Sequence, residues 1–259
     1  GQTRHDLGRD AFLKKIWEWK EQNGSHITKQ LRRLGASVDW SREVFTMDER
    51  LSESVTEAFV RMYEKGIIYR DYRLVNWCCA LNTCISDIEV EHLDVTKRCR
   101  LKVPGGATGK TYEFGCLTKF AYNVAPMEDG APDAPGTPTE VVVATTRLET
   151  MLGDTAVAVH PNDPRYTSLH GRFVVHPFNG KKLPVVLDGE LVDMAFGTGV
   201  VKITPAHDPN DYECGLRHGL EQISLLNDDG TMNANCGEFE GQFRYHCREA
   251  LEAALEAKG

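Results

Sequence analysis

The chain has 259 residues, 41% hydrophobic and 26% charged, an ordinary globular composition long enough for one large domain or two modest ones. No stretch reaches the roughly 20 apolar residues that a membrane-spanning helix needs, and the opening GQTRHDLGRDAF has no apolar export core. The net charge of −8 is uneven: residues 1–105 hold 18 Lys and Arg against 16 Asp and Glu, and residues 106–259 hold 12 against 22. A general positive field that would hold RNA is therefore excluded for the second part, which would need a local patch or delivery by another domain.

The chain begins with Gly rather than Met, which reads as a piece of a longer protein. Its eight cysteines, Cys78, Cys79, Cys84, Cys99, Cys116, Cys214, Cys236 and Cys247, include no Cys-x-x-Cys pair. Their scatter is unlike a secreted disulfide framework, and Cys78, Cys79 and Cys84 lack the spacing of paired zinc ligands. Free, buried thiols in a reducing compartment are the expectation.

Residues 10–75 read as helical. DAFLKKIWEWKEQ places Phe12, Ile16 and Trp19 on one face, and ITKQLRRL repeats the pattern before Gly35, a helix-ending glycine. SVTEAFVRMYEKG pairs Ser54 with Glu57 at capping-box spacing and carries Val55, Phe59, Met62 and Tyr63 on one face. Apolar stripes of this kind are expected to be core. From Ile67 the period shortens, and IIYRDYRLVNW and ISDIEVEHLDV read as short strands. MEDGAPDAPGTPT, residues 127–139, reads as an exposed hairpin loop. EVVVATT, TAVAVH, RFVVHPF, LPVVL and GTGVVKITPA then follow as short strands between Gly, Pro, Asn and Asp, a spacing that predicts a closed or nearly closed barrel. DPNDYECGLRHGL reads as a loop leading into a helix, and FRYHCREALEAALEAKG as a terminal helix. The expected class is α+β: a β-barrel-rich domain with surrounding helices over 76–259, preceded by a helical connector over 1–75.

Two segments can carry chemistry. In ATTRLETMLGD a valine-rich strand runs into Thr145 and Thr146, and Arg147, Glu149, Thr150 and Asp154 crowd after it. Strand ends on a barrel rim hold polar groups rigidly, but a capped turn explains the same residues. In GTGVVKITPAHDPNDYE, Gly197 and Gly199 permit close approach of backbone or ligand. Lys202 and Thr204 share one strand face, and His207, Asp208 and Asp211 follow Pro205 on a loop. Two carboxylates near a lysine suit a cationic amine, while Asp208 or Asp211 as a helix N-cap is the plainer reading. The spacing of His207, Asp208, Asp211 and His218 matches no zinc, calcium or EF-hand pattern. A Gly-x-Ser-x-Gly elbow and phosphate-cradling Gly-rich loops are both absent.

TTRLETMLGDTAVAVHPNDPRY and GTGVVKITPAHDPNDYECGLRHGL resemble the threonine-rich and acidic signatures of the editing domain in class I aminoacyl-tRNA synthetases. Their wording is closest to the valyl-tRNA synthetase family. LRRLGASVDWSREVFTMDERLSESVTEAFVRMYEKGIIYR and LVNWCCALNTCISDIEVE look like the same family, of eukaryotic cytosolic type, so the resemblance covers nearly the whole chain. Leu148 departs from the Pro that many members carry, losing a fixed backbone angle.

The resemblance implies an editing hydrolase within a valine–tRNA ligase, acting in the cytoplasm on threonine mischarged onto valine tRNA. Threonyl-adenylate is a second candidate substrate, and the rest of the synthetase a partner. Thr146, Arg147 and Thr150 would position the terminal adenosine and the aminoacyl group. Lys202 and Thr204 would line the same pocket. Asp211 would pair with the α-ammonium and Asp208 face the hydroxyl, in an assignment that can be exchanged. Editing would need no metal or cofactor. His-x-Gly-His and Lys-Met-Ser-Lys-Ser, which serve ATP- and Mg²⁺-dependent charging in the family, are absent, so the chain is expected to edit and not to charge tRNA. The nucleophile would be water, with Lys202 or a backbone N–H at the oxyanion. His207 is open between general base and structural imidazole. Leucyl or isoleucyl specificity and a non-catalytic tRNA-positioning module are the rival readings.

Overall fold

The computed structural model describes residues 2–106, 109–127 and 136–259. The chain divides into two compact units, Gly1–Asp71 and Tyr72–Gly259. Most of the expected hairpin loop over 127–139 lies outside the described residues.

The first unit is helical: α1 (Arg4–Leu7), α2 (Arg9–Asn23), α3 (Ser25–Arg33) and α4 (Glu49–Glu64). Gly35, with φ 79°, follows α3 as expected. Two expectations fail. The N-cap of helix α4 is Asp48, not Ser54. Ser54 sits inside the helix and donates back to the Arg50 carbonyl at 2.9 Å, and Glu57 pairs with Arg61 instead of capping. The apolar stripes are not core either: Trp19, Val55, Phe59 and Tyr63 are 60–66% exposed, and no residue of α1–α4 is buried. Helical spacing creates an apolar face, but burial needs an element laid against it. Local ring contacts do form, Trp17 against Phe45 at 5.7 Å with Lys20 over both.

In the second unit the hairpin β1 (Asn76–Cys78) and β2 (Thr83–Ile85) pairs Trp77 with Cys84. The rest of IIYRDYRLVNW and ISDIEVEHLDV is not strand. In the latter, Ser86 and Glu89 form a reciprocal capping box around a 3-10 turn, and such local bonds compete with a ladder. A second small pair, β3 (Cys99–Leu101) with β4 (Tyr112–Phe114), precedes the main sheet.

That sheet contains β5 (Thr118–Val124), β6 (Glu140–Thr145), β7 (Ala156–Val159), β8 (Phe173–Val175), β9 (Lys182–Leu187) and β10 (Val200–Ile203). Its order is β10-β7-β9-β8-β5-β6, antiparallel except for β7 with β9. Its end strands β10 and β6 approach each other, so the sheet is a nearly closed barrel, as the strand spacing predicts. Alternation sets the faces: Phe120, Tyr122, Val141 and Val143 point inward from β5 and β6.

Strand β7, AVAV, is buried on both faces. Val157 and Val159 join the main core. Ala156 and Ala158 join a smaller cluster with Ile203 and with Cys214 of α5 (Pro209–His218). Helix α6 (Arg244–Lys258) packs over the 3-10 turn Leu148–Gly153, with Leu251 and Cys247 in the core beside Leu148 and Met151. Leu148 therefore serves as a fully buried anchor where a proline would fix the backbone. A side chain at Gly153 would stand 3.0 Å from the Ile223 carbonyl and from Leu225, so glycine lets that segment close on the turn.

All eight cysteines are free. Cys214, Cys236 and Cys247 are buried as expected, and the other five are not.

Leu251→Ala should lower the unfolding free energy by about 2–5 kcal/mol in urea denaturation, because it opens a cavity under the 3-10 turn. Val55→Ala on exposed α4 should change it by less than about 0.5 kcal/mol. Similar losses from the two would contradict this placement of the core.

Candidate active site

The two chemistry-bearing segments come together where β10 passes the 3-10 turn. Lys202 and Thr204 point to one side of β10, as strand alternation requires, and both are buried. The Lys202 ammonium donates to Thr150 Oγ1 at 3.1 Å, to Asp154 Oδ1 at 3.0 Å and to Thr204 Oγ1 at 2.5 Å. Thr204 also donates to Asp154 Oδ1, and Tyr122 of β5 donates to Asp154 Oδ2. A buried ammonium is tolerable only with this degree of pairing.

Asp208 caps α5, its Oδ1 accepting from the Asn210 and Asp211 N–H groups at 2.9 and 3.2 Å. Proline at the next position suits a helix start. The cap turns Asp211 back toward β10, where its Oδ2 accepts the Thr204 N–H at 2.9 Å. Asp211 is 7% exposed. Burial pushes its carboxyl up to about 6, with Asp208 and Asp154 adding to the rise and the Thr204 N–H and Lys202 opposing it. Thr150, Lys202 and Asp211 keep 5–7% of their surface exposed and Thr204 and Asp154 only 1%, so all five are buried and the first three form the less deeply buried edge of the cluster.

Arg147 leaves the cluster. Its Nη1 donates to the His207 carbonyl at 2.7 Å and its guanidinium is half-exposed. With His207, Trp77, Tyr212 and Arg244 it lines a cavity of about 840 Å³. Ala206, two residues past Thr204, is part of the same wall. Thr146 is exposed and lines a different cavity of about 1200 Å³ with Arg98, Glu113 and Arg248, so it is not gathered with the other expected residues. Gly199 does not open the site: it closes a turn, with φ 74°, where a Cβ would collide with the Arg165 guanidinium, whereas Gly197, with φ 59°, has open space at its Cβ position.

His207 accepts the Leu225 N–H on Nε2 at 3.1 Å, and burial beside Arg147 and Lys202 pushes its imidazole down to about 4. It is therefore a neutral ring whose Nε2 lone pair is already engaged, an arrangement that fits the structural alternative. His218 does not join His207, Asp208 and Asp211. It meets Asp188 at 3.1 Å beside Cys214, where Arg217 already compensates that carboxylate.

Sequence reasoning gave no role to Asp154 or Tyr122, nor to Arg248, which grips buried Glu149 with two bonds at 2.8 and 2.9 Å. Burial alone would raise the Glu149 carboxyl, but the Arg248 guanidinium outweighs it and the net shift is downward. Tyr122 lies on β5, a strand that the sequence reading did not identify. The Glu149–Arg248 pair spans 99 residues and has no local signal.

With this geometry in hand, the comparisons with known proteins are specific. Residues 1–245 match the family described as tRNA synthetases class I (I, L, M and V), and the chain belongs to that family. All of it aligns with "Valine--tRNA ligase, mitochondrial 1" of Arabidopsis thaliana at 60% identity, and with valine–tRNA ligases of Schizosaccharomyces pombe and Homo sapiens at 54%. It spans 22%, 25% and 20% of the lengths of those three relatives. A solved structure described as "The crystal structure of GlLeuRS-CP1" overlaps 54% of this chain and 96% of its own, at TM-score 0.40 and 13% identity. A likeness at that level supports no conclusion here.

The raised Asp211 carboxyl has a stability consequence of definite sign. Its folded value of about 6 lies above the ordinary 3.8, so the folded chain keeps a proton that the unfolded chain releases between those values. Stability is full below the lower value and falls as pH rises through the upper one, by on the order of 3 kcal/mol. Asp211→Asn keeps an acceptor for the Thr204 N–H without the charge. It should melt above the wild type at about pH 8 and level with it near pH 4. Equal melting at both would contradict a desolvated, ionised Asp211.

Proposed function

We propose that the second unit hydrolyses the ester of threonine mischarged onto valine tRNA, as the proofreading part of a valine–tRNA ligase. The observation that carries this reading is Asp211: a desolvated carboxylate, poised to ionise near pH 6, at the less deeply buried edge of a cluster that also holds the Thr150 hydroxyl. A free ammonium group entering that edge would replace the missing counter-charge, which is what an aminoacyl ester brings. Supporting the substrate assignment are the valine–tRNA ligases among its relatives.

Valine and threonine are nearly isosteric. Valyl-tRNA synthetases are the standard example of an apolar pocket that rejects the added hydroxyl by only about a hundredfold. A polar pocket does the converse, since a group that binds the hydroxyl is left unpaired by valine, at about 1–3 kcal/mol per group. Asp211 anchors the ammonium common to both amino acids. Asp208, Thr204 and Thr150 supply polar groups for the hydroxyl. Arg147, half-exposed over the cavity, holds the phosphate–ribose end of the tRNA. Water attacks the ester carbonyl, the bond from that carbon to the tRNA ribose oxygen breaks, the ribose oxygen takes up a proton released by the water to become a free hydroxyl, and the product threonine leaves with the ammonium still on Asp211. The three donors of Lys202 are already engaged, so it acts on the developing oxyanion through its charge, and a backbone N–H makes the direct contact.

The partners in this reading are the 3′ end of valine tRNA, threonyl-adenylate as a second substrate, and the rest of the synthetase, with the whole protein in the cytoplasm. The whole protein would use ATP and Mg²⁺ for charging. The editing step needs neither, and activity should survive chelation of metal ions.

Single-turnover deacylation tests the reading. Threonyl-tRNA for valine should be hydrolysed much faster than valyl-tRNA, with the rate rising through an apparent pKa near 6. Asp211→Ala should abolish hydrolysis of both esters. Asp208→Ala should slow threonine and narrow the gap between the two by about 10- to 100-fold. Equal wild-type rates would overturn the substrate, and near-normal rates in folded Asp211→Ala would overturn the anchor.

A further inference from the structure

Asp154 is almost completely buried at the end of the 3-10 turn and has no place in the contacts just described. Its surroundings leave no freedom in where each hydrogen lies. The Lys202 ammonium has three protons and no acceptor, and all three are spent on Thr150, Thr204 and Asp154. An ionised carboxylate only accepts, so Thr204 must give its hydroxyl proton to Asp154 Oδ1, and Tyr122 must give its own to Oδ2. Thr150 gives its proton to the Arg147 carbonyl at 2.8 Å. Each threonine is therefore left with a lone pair, and no proton, for a further partner.

We propose that Asp154 is a positioning residue that sets the hydrogen-bond polarity of this pocket, making it a receiver of hydrogen donors. The inference rests on the ester-hydrolysis reading and deepens it. A substrate hydroxyl or ammonium satisfies such a pocket, whereas the methyl group of valine leaves a desolvated lone pair unpaired. Asp154 does this through two bonds on Oδ1 and one on Oδ2. The first two pin the Lys202 charge and the Thr204 proton, and the third, from Tyr122, holds the carboxylate plane against both. Without the carboxylate, the Lys202 charge and the Thr204 proton lose their fixed partner, and the pocket loses its distinction between a hydroxyl and a methyl group.

The test compares the wild type with Asp154→Asn and Tyr122→Phe, each checked by thermal melting. Threonyl- and valyl-tRNA deacylation are measured in single turnover. Asp154→Asn should lower the threonine-to-valine rate ratio at least tenfold, through the rate at saturation rather than the half-saturating concentration. Tyr122→Phe should fall between it and the wild type. A folded Asp154→Asn that keeps the wild-type ratio overturns the proposal while leaving the editing reading intact. A wild type that fails to distinguish the two esters sinks the editing reading instead. Proton NMR of the wild-type chain then decides the polarity without any activity. The Thr204 hydroxyl proton should exchange slowly with water and show a nuclear Overhauser contact to the Lys202 side chain. A Thr204 hydroxyl proton in rapid exchange overturns the proposal, whether or not the variants fold.

Discussion

One buried ammonium organises the second unit. Lys202 lies on β10, an end strand of the sheet, with only 8% of its side chain exposed, and a charge in that position is costly unless every donor is matched. Matching it fixes three elements at once: β10 through Thr204, the 3-10 turn through Thr150 and Asp154, and β5 through Tyr122. The turn is held from outside as well, by Leu148, Met151 and the Glu149–Arg248 pair under α6. Two segments some 50 residues apart are thereby held in one geometry, the rigidity that a binding site needs.

The same arrangement explains why Asp211 stands out. Lys202 has one negative partner, Asp154, and that pairing leaves little charge for a second carboxylate. The N-cap of α5 nevertheless brings Asp211 against the cluster, where its only direct bond is from the Thr204 N–H among the described residues. A carboxylate so placed is destabilising when ionised and becomes favourable when a cation arrives. Stability given up in the free chain is recovered on binding, a common division between the fold and its site.

Much of this was legible in the sequence, for identifiable reasons. Strand positions followed from valine-rich runs between turn residues, and the shared face of Lys202 and Thr204 followed from two-residue alternation alone. Asp208 as an N-cap was legible because Asp before Pro at a helix start has a local cause. What failed was non-local. Ser54 matched a capping box inside a helix whose N-cap lies six residues earlier, since spacing does not reveal where a helix starts. Phe59 and its neighbours made an apolar stripe that no element covers. Thr146, adjacent to Arg147, lies just past the end of β6, where the chain turns into the 3-10 segment, and lines the other cavity. Asp154 stood in plain view within ATTRLETMLGD, but only the approach of β10 and β5 gives it work.

In the proposed reaction Asp211 receives the α-ammonium of an aminoacyl ester while the Lys202 cluster reads its side chain. The most direct measurement is a crystal structure of the chain with a non-hydrolysable threonyl-adenosine analogue. The predicted result is an ammonium nitrogen about 2.7–2.9 Å from an Asp211 oxygen, with the threonine hydroxyl donating to Thr150, Thr204 or Asp208. An analogue bound with its ammonium away from Asp211, or seated in the cavity around Trp77 without touching the cluster, would contradict the account.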